Sequence, residues 1–502
     1  MLFSQTITFK AGFFGFKMKG DFTAIFKDYN LNPTFEEGYF NNEILVFTEG
    51  ANEKSLEYWD SIRPVPLTVE ETDDYIKKDS LQKVWDSKAY KDSIDRKNNK
   101  FKITKLLFGY SYRNSWKRQS FSMSSPLSTV QFNPVQGGLF SLDFTYRKSF
   151  DERFLRYYTF SPKIQYGFAD NRLRAMASYF RQFNATRFSR LYLAGGREVM
   201  QFNSQNPIRP LISALYILYA KENFMKLYER DFGYARYGQE IINGLMGSLS
   251  SEFARRRPLE VNTNYSRRKR DEEYPANIPQ IAELGQNVPI EEHSILKFTA
   301  SFRIRFAQKY LTYPDRKYIM GTKYPALRIA YQKAIPVNEE YSGFDKVSLR
   351  IWDNYMSLGV FGHSEFNVEG GTFFNKTRMS TVDFQHFLGN ETFVSNPNLY
   401  DRSFLKLPYY EFSTANSYLH AHFQHHFDGF LFDKLPIIRR LGWQTAIGAN
   451  FLYTETQKDY TEVYFGIDNI GFKIFRLFRV DVVGNFRRGK FDDVGVVLGI
   501  KL

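Results

Sequence analysis

The chain has 502 residues, no cysteine and a net charge of +14, and its 51 Phe, 34 Tyr and 5 Trp make 18% aromatics beside 24% charged residues. Without thiols there are no disulfides, zinc–thiolate sites or thiol chemistry. Helical membrane spans are excluded too, because each needs roughly 20 consecutive apolar residues and the longest run, Leu211 to Ala220, is shorter and interrupted by Ser213. A chain rich in rings yet polar on average, with a mean hydropathy of −0.44, fits a transmembrane β-barrel. In such a barrel only every second strand residue meets lipid, and aromatic residues gather at both boundaries. The basic residues are dispersed, as expected for a water-filled lumen and loops rather than for a nucleic-acid footprint. The densest group, Arg255-Arg256-Arg257 and Arg267-Arg268-Lys269-Arg270, falls in a polar stretch that reads as a loop.

Taken in order, the chain starts without the basic, apolar and small-residue pattern of an export signal. The expectation is a mature or truncated form. Residues 38–48 hold a candidate strand ending at Phe47. The prolines Pro64 and Pro66 exclude a helix interior, and Thr68 followed by Glu70, Glu71 and Asp73 marks a helix start. That helix runs through Tyr75 and, after a break, to Arg96. It is polar throughout and reads as a periplasmic segment, so residues 1–100 are set apart from a barrel over 101–502.

From there period-2 alternation dominates. Phe298, Ala300, Phe302, Ile304 and Phe306 oppose Lys297, Thr299, Ser301, Arg303 and Arg305. Leu142, Phe144 and Tyr146 oppose Ser141, Asp143, Thr145 and Arg147. Ile164, Tyr166 and Phe168 lead through an Asp170-Asn171 turn to Leu173, Ala175, Ala177 and Tyr179. Val347, Leu349 and Ile351 oppose Lys346, Ser348 and Arg350. Many segments run about ten residues, the length of a tilted strand across a bilayer, whereas sandwich strands are nearer five or six. The chain ends on an apolar face of Val494, Val496, Leu498, Ile500 and Leu502. Ser213 to Arg230 reads as a helix or as an irregular strand, and 258–292 as a long loop. The fold expected is all-β, an antiparallel transmembrane barrel of about 16 strands with a small polar helical periplasmic segment.

Several segments carry a family resemblance. They are Arg63-Pro64-Val65-Pro66-Leu67-Thr68, Gly195-Gly196-Arg197-Glu198 with Gln201-Phe202-Asn203, and Glu222 to Glu229. Leu407-Pro408-Tyr409-Tyr410-Glu411-Phe412-Ser413, His425 to Phe430, and Phe478-Arg479-Val480-Asp481 complete the set. Together they resemble an uncharacterised family of outer-membrane barrels that usually follows a carboxypeptidase-regulatory-like domain of Ig type. The C-terminal hundred residues also resemble the surface-antigen superfamily, which includes the BamA-type assembly factors. The resemblance implies a bacterial outer-membrane location, contact with the lipid bilayer and lipopolysaccharide, and assembly proteins of the outer membrane or periplasm as partners. It implies no nucleic acid, cofactor or catalytic residue.

Two groups of residues are candidates for a site. His420, His422 and His426 share one strand face with Gln424, and imidazoles at that spacing suit a metal or simply a polar lumen wall. A lumenal hydrolase would need a Ser or Asp with an orienting His; Ser413 and Ser417 lie near these histidines in sequence, and nothing marks either as a nucleophile. Arg197 with Glu198, and Arg479 with Asp481, are candidate lumen ion pairs; the resemblance to surface-antigen barrels implies that such charges would help seat a loop, and the alternative is an ordinary solvated charge row. Gly195-Gly196 and Gly370-Gly371 read as bulges or close backbone approaches. Three functions follow as expectations: assembly or secretion of other outer-membrane proteins, solute transport favouring anions, and a lumenal hydrolase or metal-binding barrel.

Overall fold

The computed structural model describes residues 4–13, 16–26, 29–51, 53–338, 341, 343–472 and 475–501. The expectations placed on Met1 to Phe3 and on Leu502 lie outside these. A hairpin of β1 (Ser4–Phe13) and β2 (Phe16–Ile25) precedes the short β3 (Glu43–Val46). Helices α1 (Leu56–Ile62), α2 (Val69–Asp86), α3 (Lys88–Asn98) and α4 (Thr104–Phe108) follow. At the start of α2 the Thr68 hydroxyl accepts from the Glu71 N–H while the Glu71 carboxylate accepts from the Thr68 N–H. This capping box satisfies two otherwise orphaned donors. α2 buries none of its residues, as its polar sequence requires.

The barrel starts at β4 (Tyr110–Asn114) and β5 (Gln119–Met123), and a single-turn helix α5 (Pro126–Thr129) separates β5 from β6 (Gln131–Asn133). Long strands follow: β7 (Gly137–Ser149), β8 (Tyr157–Gly167), β9 (Arg172–Asn184) and β10 (Ser189–Gln201). After helix α6 (Pro210–Ala220) come β11 (Leu227–Ile242), β12 (Leu245–Pro258) and β13 (His293–Arg305). β14 (Lys309–Thr312) and β15 (Lys317–Gly321) leave the wall and join β3 in a separate three-stranded sheet. The wall resumes with β16 (Ala326–Pro336), β17 (Phe344–Ser357) and β18 (His363–Phe374). The two-residue β19 (Val394–Ser395) and β20 (Tyr418–His426) lead to helix α7 (Pro436–Leu441). β21 (Gln444–Thr454), β22 (Lys458–Phe472), β23 (Phe475–Arg487) and β24 (Lys490–Ile500) complete the chain.

The sheet closes on itself, bringing β24 round to β4, and holds 19 strands rather than about 16. Two of these are not full wall strands. β6 continues the line of β5 along β7, and β19 is a loop segment lying parallel to β24 at Leu498 and Gly499.

Closure explains the alternation. Phe302, Ile329 and Leu349 stand directly across from one another on β13, β16 and β17, and all three are over 40% exposed. Rows like this repeat around the wall, in Leu419, Phe423, Val463, Val482, Val494 and Val496 among others. A continuous apolar belt of this kind is not tolerated on a water-soluble protein, whereas a barrel spends it on lipid. Among the described residues no helix is long and apolar enough to cross a membrane.

Two sequence expectations change. Arg255, Arg256 and Arg257 are the end of β12, not a loop, because the alternation of Phe253 and Ala254 runs on through them. The segment 213–230 divides: the helix is Pro210–Ala220, and β11 begins at Leu227. Gly196 has φ +133° where β10 passes Met176, and Gly371 faces the Tyr418 ring, so both are close approaches.

Three long connections, 202–226, 259–292 and 375–417, gather at one end of the barrel. Helix α3, packed on β4, and the β3–β14–β15 sheet lie at the other.

α6 sits where the first and last strands meet. One side packs on β6. On the other, the Tyr216 hydroxyl accepts from the Phe393 N–H at 3.1 Å, and Phe393 leads into β19 on the edge of β24. Leu211, Leu215 and Tyr219, spaced as one helical stripe, stay exposed.

Candidate functional site: a loop seated in the lumen

Segment 375–417 folds into the barrel instead of away from it. Tyr400, Phe404, Leu405 and Leu407 are each about 1% exposed. A buried loop must satisfy its backbone, and the wall supplies the partners. Glu462 on β22 accepts from the N–H groups of Leu405 and Lys406 at 2.8 and 2.7 Å. Asn367 on β18 donates to the Asp401 carbonyl at 2.9 Å. Asp481 on β23 accepts from the Tyr400 hydroxyl at 3.0 Å.

Charge pairs fasten the same loop. Asp383 takes both terminal nitrogens of Arg256, at 2.6 and 3.0 Å, with Lys297 at 3.3 Å. Burial opposes the charge on Asp383, but Arg256 and Lys297 outweigh it and hold this carboxyl below its usual range. The network continues along the lumen wall through Glu252 and Arg230 to Glu198.

The other two long connections are bonded into the same cap. Asn203 donates to the Phe387 carbonyl at 2.9 Å. Asn277 both accepts from and donates to the backbone of Leu227, and Glu283 accepts from Ala415 N–H at 3.0 Å. Phe202, Ile208, Met225, Ile281, Phe384 and Tyr409 form a shared apolar core between them. Burial there pushes the Lys226 ammonium down to about 8, and its Nζ donates to the Ala276 carbonyl.

Arg479 and Asp481 are ion-paired at 2.8 Å on the lumen face of β23, with the guanidinium over the Tyr400 ring. Arg197 and Glu198 do not pair, because consecutive strand residues face opposite sides. Glu198 faces the lumen and meets Arg230 at 2.6 Å. Arg197 is corrected from a lumen charge to an outward one, bound to Asp231, which also meets Arg257.

His420, His422 and His426 share the lumen face of β20, but among the described residues no group of three or more metal-ligating side chains converges. They serve a hydrogen-bond relay instead. Asn450 Oδ1 accepts from His422 Nδ1 at 3.0 Å, which leaves His422 Nε2 to accept from His420 Nδ1 at 3.2 Å. Asn450 Nδ2 then donates to Glu462, the carboxylate that holds the loop. His426 stacks on His363 and lies apart from this relay.

Ser413 is bonded to His386 rather than to those histidines. Its hydroxyl donates to Nδ1 at 2.7 Å, while Nε2 donates to the Thr381 carbonyl at 3.0 Å. Both residues are buried inside the cap, and a backbone carbonyl stands where a hydrolytic triad would have a carboxylate. Ser417 meets Thr372 at the edge. Asp383, His386, Tyr400, Asn450 and Glu462 escaped the sequence reading. The one signal near them was the Leu407–Ser413 motif, which lies in this loop.

Fold and site together define a membrane-spanning β-barrel whose mouth is sealed by its own loops. The chain belongs to the family of unknown function DUF5686, whose C-terminal domain matches residues 104–467. No curated protein matches the sequence. Similar solved structures include BamA from Haemophilus ducreyi lacking POTRA domains 1–3, at 9% identity and TM-score 0.39, covering 99% of this chain and 89% of that one. CdiB from Acinetobacter baumannii shares 6% identity at TM-score 0.34, over 76% of this chain and 59% of that one. A mutant porin of Rh. blastica shares 8% at TM-score 0.29, over 72% and 89%.

Proposed function

We propose that this protein is a bacterial outer-membrane barrel that helps insert or export other outer-membrane proteins. The observation that carries the reading is the seated loop. A diffusion pore needs a continuous water path, and here three connections fill one mouth with a bonded core. At the opposite end stand the polar helices α2 and α3 and the β3–β14–β15 sheet, a surface suited to periplasmic partners. The last strand supports the reading as well. β24 has eleven residues against five in β4 and two in β19, which covers Leu498 and Gly499, so part of that edge is unmatched, and unmatched strand edges template pairing with another chain. The membrane partners are the lipid bilayer and lipopolysaccharide, and the barrel has no enzymatic role.

Depletion of the protein in its host tests this. Several other surface proteins should fall together in outer-membrane fractions, and unchanged levels overturn the reading. Solute transport is the second reading, favoured by an arginine row in the open half of the lumen. It predicts anion-selective conductance in a planar bilayer, and a silent bilayer removes the open-pore form.

A further inference from the structure

We propose that the half of the lumen away from the three long connections is a binding chamber for a phosphate-bearing anion with an apolar body. Arg303 on β13 stands directly across from Arg328 on β16, and Arg328 directly across from Arg350 on β17. Like charges placed opposite one another on neighbouring strands destabilise a sheet, so folding alone does not favour three in a row. Arg190 and Arg236 join them in lining a cavity of ≈ 600 Å³.

Four of these five cations make no ion pair: among the described residues, Arg190, Arg236, Arg303 and Arg328 have no carboxylate partner, and Arg236 reaches only the Ser248 hydroxyl at 3.4 Å. Arg350 donates to Asn367, stands across from Glu369 on β18 and comes no nearer than 4.0 Å to Asp401, so it is the one partly balanced member of the group. In the looped half of the same lumen, Arg256, Arg230 and Lys297 all meet carboxylates. Arg256, Arg230 and Lys297 are thus neutralised within the chain, whereas Arg190, Arg236, Arg303 and Arg328 are left to a mobile anion.

Guanidinium forks match phosphate oxygens two at a time. Aromatic side chains, Phe180, Tyr192, Tyr234 and Trp352 among them, stand around the arginines beside Met246, Ser248 and Ser301, and such rings take the apolar part of a ligand. The chamber lies where β10 begins and β13 ends, so its ligand enters from the side opposite the three long connections. This assignment does not depend on the assembly reading, since depletion phenotype and ligand binding are separate measurements.

The test uses the full chain in detergent micelles at constant ionic strength, with calorimetry as the readout. Inorganic phosphate, phenyl phosphate and dihexanoyl phosphatidate are titrated separately. Phenyl phosphate is expected to saturate at lower concentration than inorganic phosphate. The double variant Arg303→Gln, Arg328→Gln should weaken binding at least tenfold and should melt no lower than the parent without ligand, because it relieves repulsion. Arg197→Gln, on the outer wall, should bind as the parent does. Saturation by both soluble phosphates supports a periplasmic solute, and saturation by phosphatidate alone supports a lipid headgroup. The proposal is overturned if none of the three saturates, if sodium chloride reproduces the response, or if the double variant binds unchanged while keeping its heat-modifiable band.

Discussion

Gly466 on β22 lies directly across from Asp481 on β23, and a Cβ at Gly466 would overlap the Asp481 carboxylate and stand 2.9 Å from the Arg479 guanidinium. The ion pair that anchors Tyr400 therefore occupies space that only glycine leaves. Gly466→Val should displace Arg479 or Asp481 and release the Tyr400 hydroxyl, with about 1–3 kcal/mol of overpacking strain. Hydrogen exchange over 395–405 should rise while the barrel strands stay protected. Unchanged exchange would show that the pair does not hold the loop.

Asp383→Asn probes the second anchor. It leaves Arg256 buried without its counter-charge, and breaking a buried pair from one side costs about 3–5 kcal/mol. The wall closes without this contact, so the variant should keep heat-modifiable gel migration but lose protease resistance in 375–417. Intact resistance would count against the anchor.

The seat should also depend on pH. Burial pushes the His386 imidazole down to about 4, from an ordinary value near 6.5. A folded value below the unfolded one means the contribution is complete above pH about 6.5 and fades as the pH falls toward 4. The groups around the ring are Ser413, the Thr381 carbonyl, the Tyr410 ring and the charges of Lys346 and Asp383. Exchange of the cap should therefore quicken between pH 7 and 5, and His386→Asn should flatten that step. Asp383, held below the carboxylate range, titrates only in stronger acid.

The lipid-facing assignment has its own measurement. Leu349→Arg should cost about 2–4 kcal/mol if the residue lies near the bilayer midplane, read as a lower folded fraction on unboiled gels. Gln332→Arg, one strand away on the lumen face, should cost much less. Equal losses would contradict the assigned faces.

The wall was legible in the sequence because lipid outside and water inside write a period of two along every strand. Phe302 and Arg303 announce their faces by type alone. The seat was not legible, since its contacts join residues far apart in the chain: Arg256 to Asp383, Glu462 to Leu405, Asn203 to Phe387. Neighbourhood in sequence even misleads here. Arg197 and Glu198 are adjacent, so they suggested a pair, yet the strand wall stands between them. The segment after Pro210 was ambiguous for another reason. Its apolar run is too short for periodicity to separate helix from strand, and the helix that forms starts on Pro210 and packs against β6 and Phe393, contacts the sequence does not display.

α6 also bears on the order of folding. It comes from the connection between β10 and β11, and Phe393, which it touches, comes from the connection between β18 and β20. Neither can be in place until most of the ladder has paired, so the meeting of the two ends of the sheet is a late event. Strand pairing can spread from neighbour to neighbour through the middle of the chain, whereas this corner waits for tertiary contact between distant loops. A refolding experiment followed at Tyr216 should lag behind one followed at the β12–β13 ladder, and the interval between them would measure how long the newborn barrel remains unsealed.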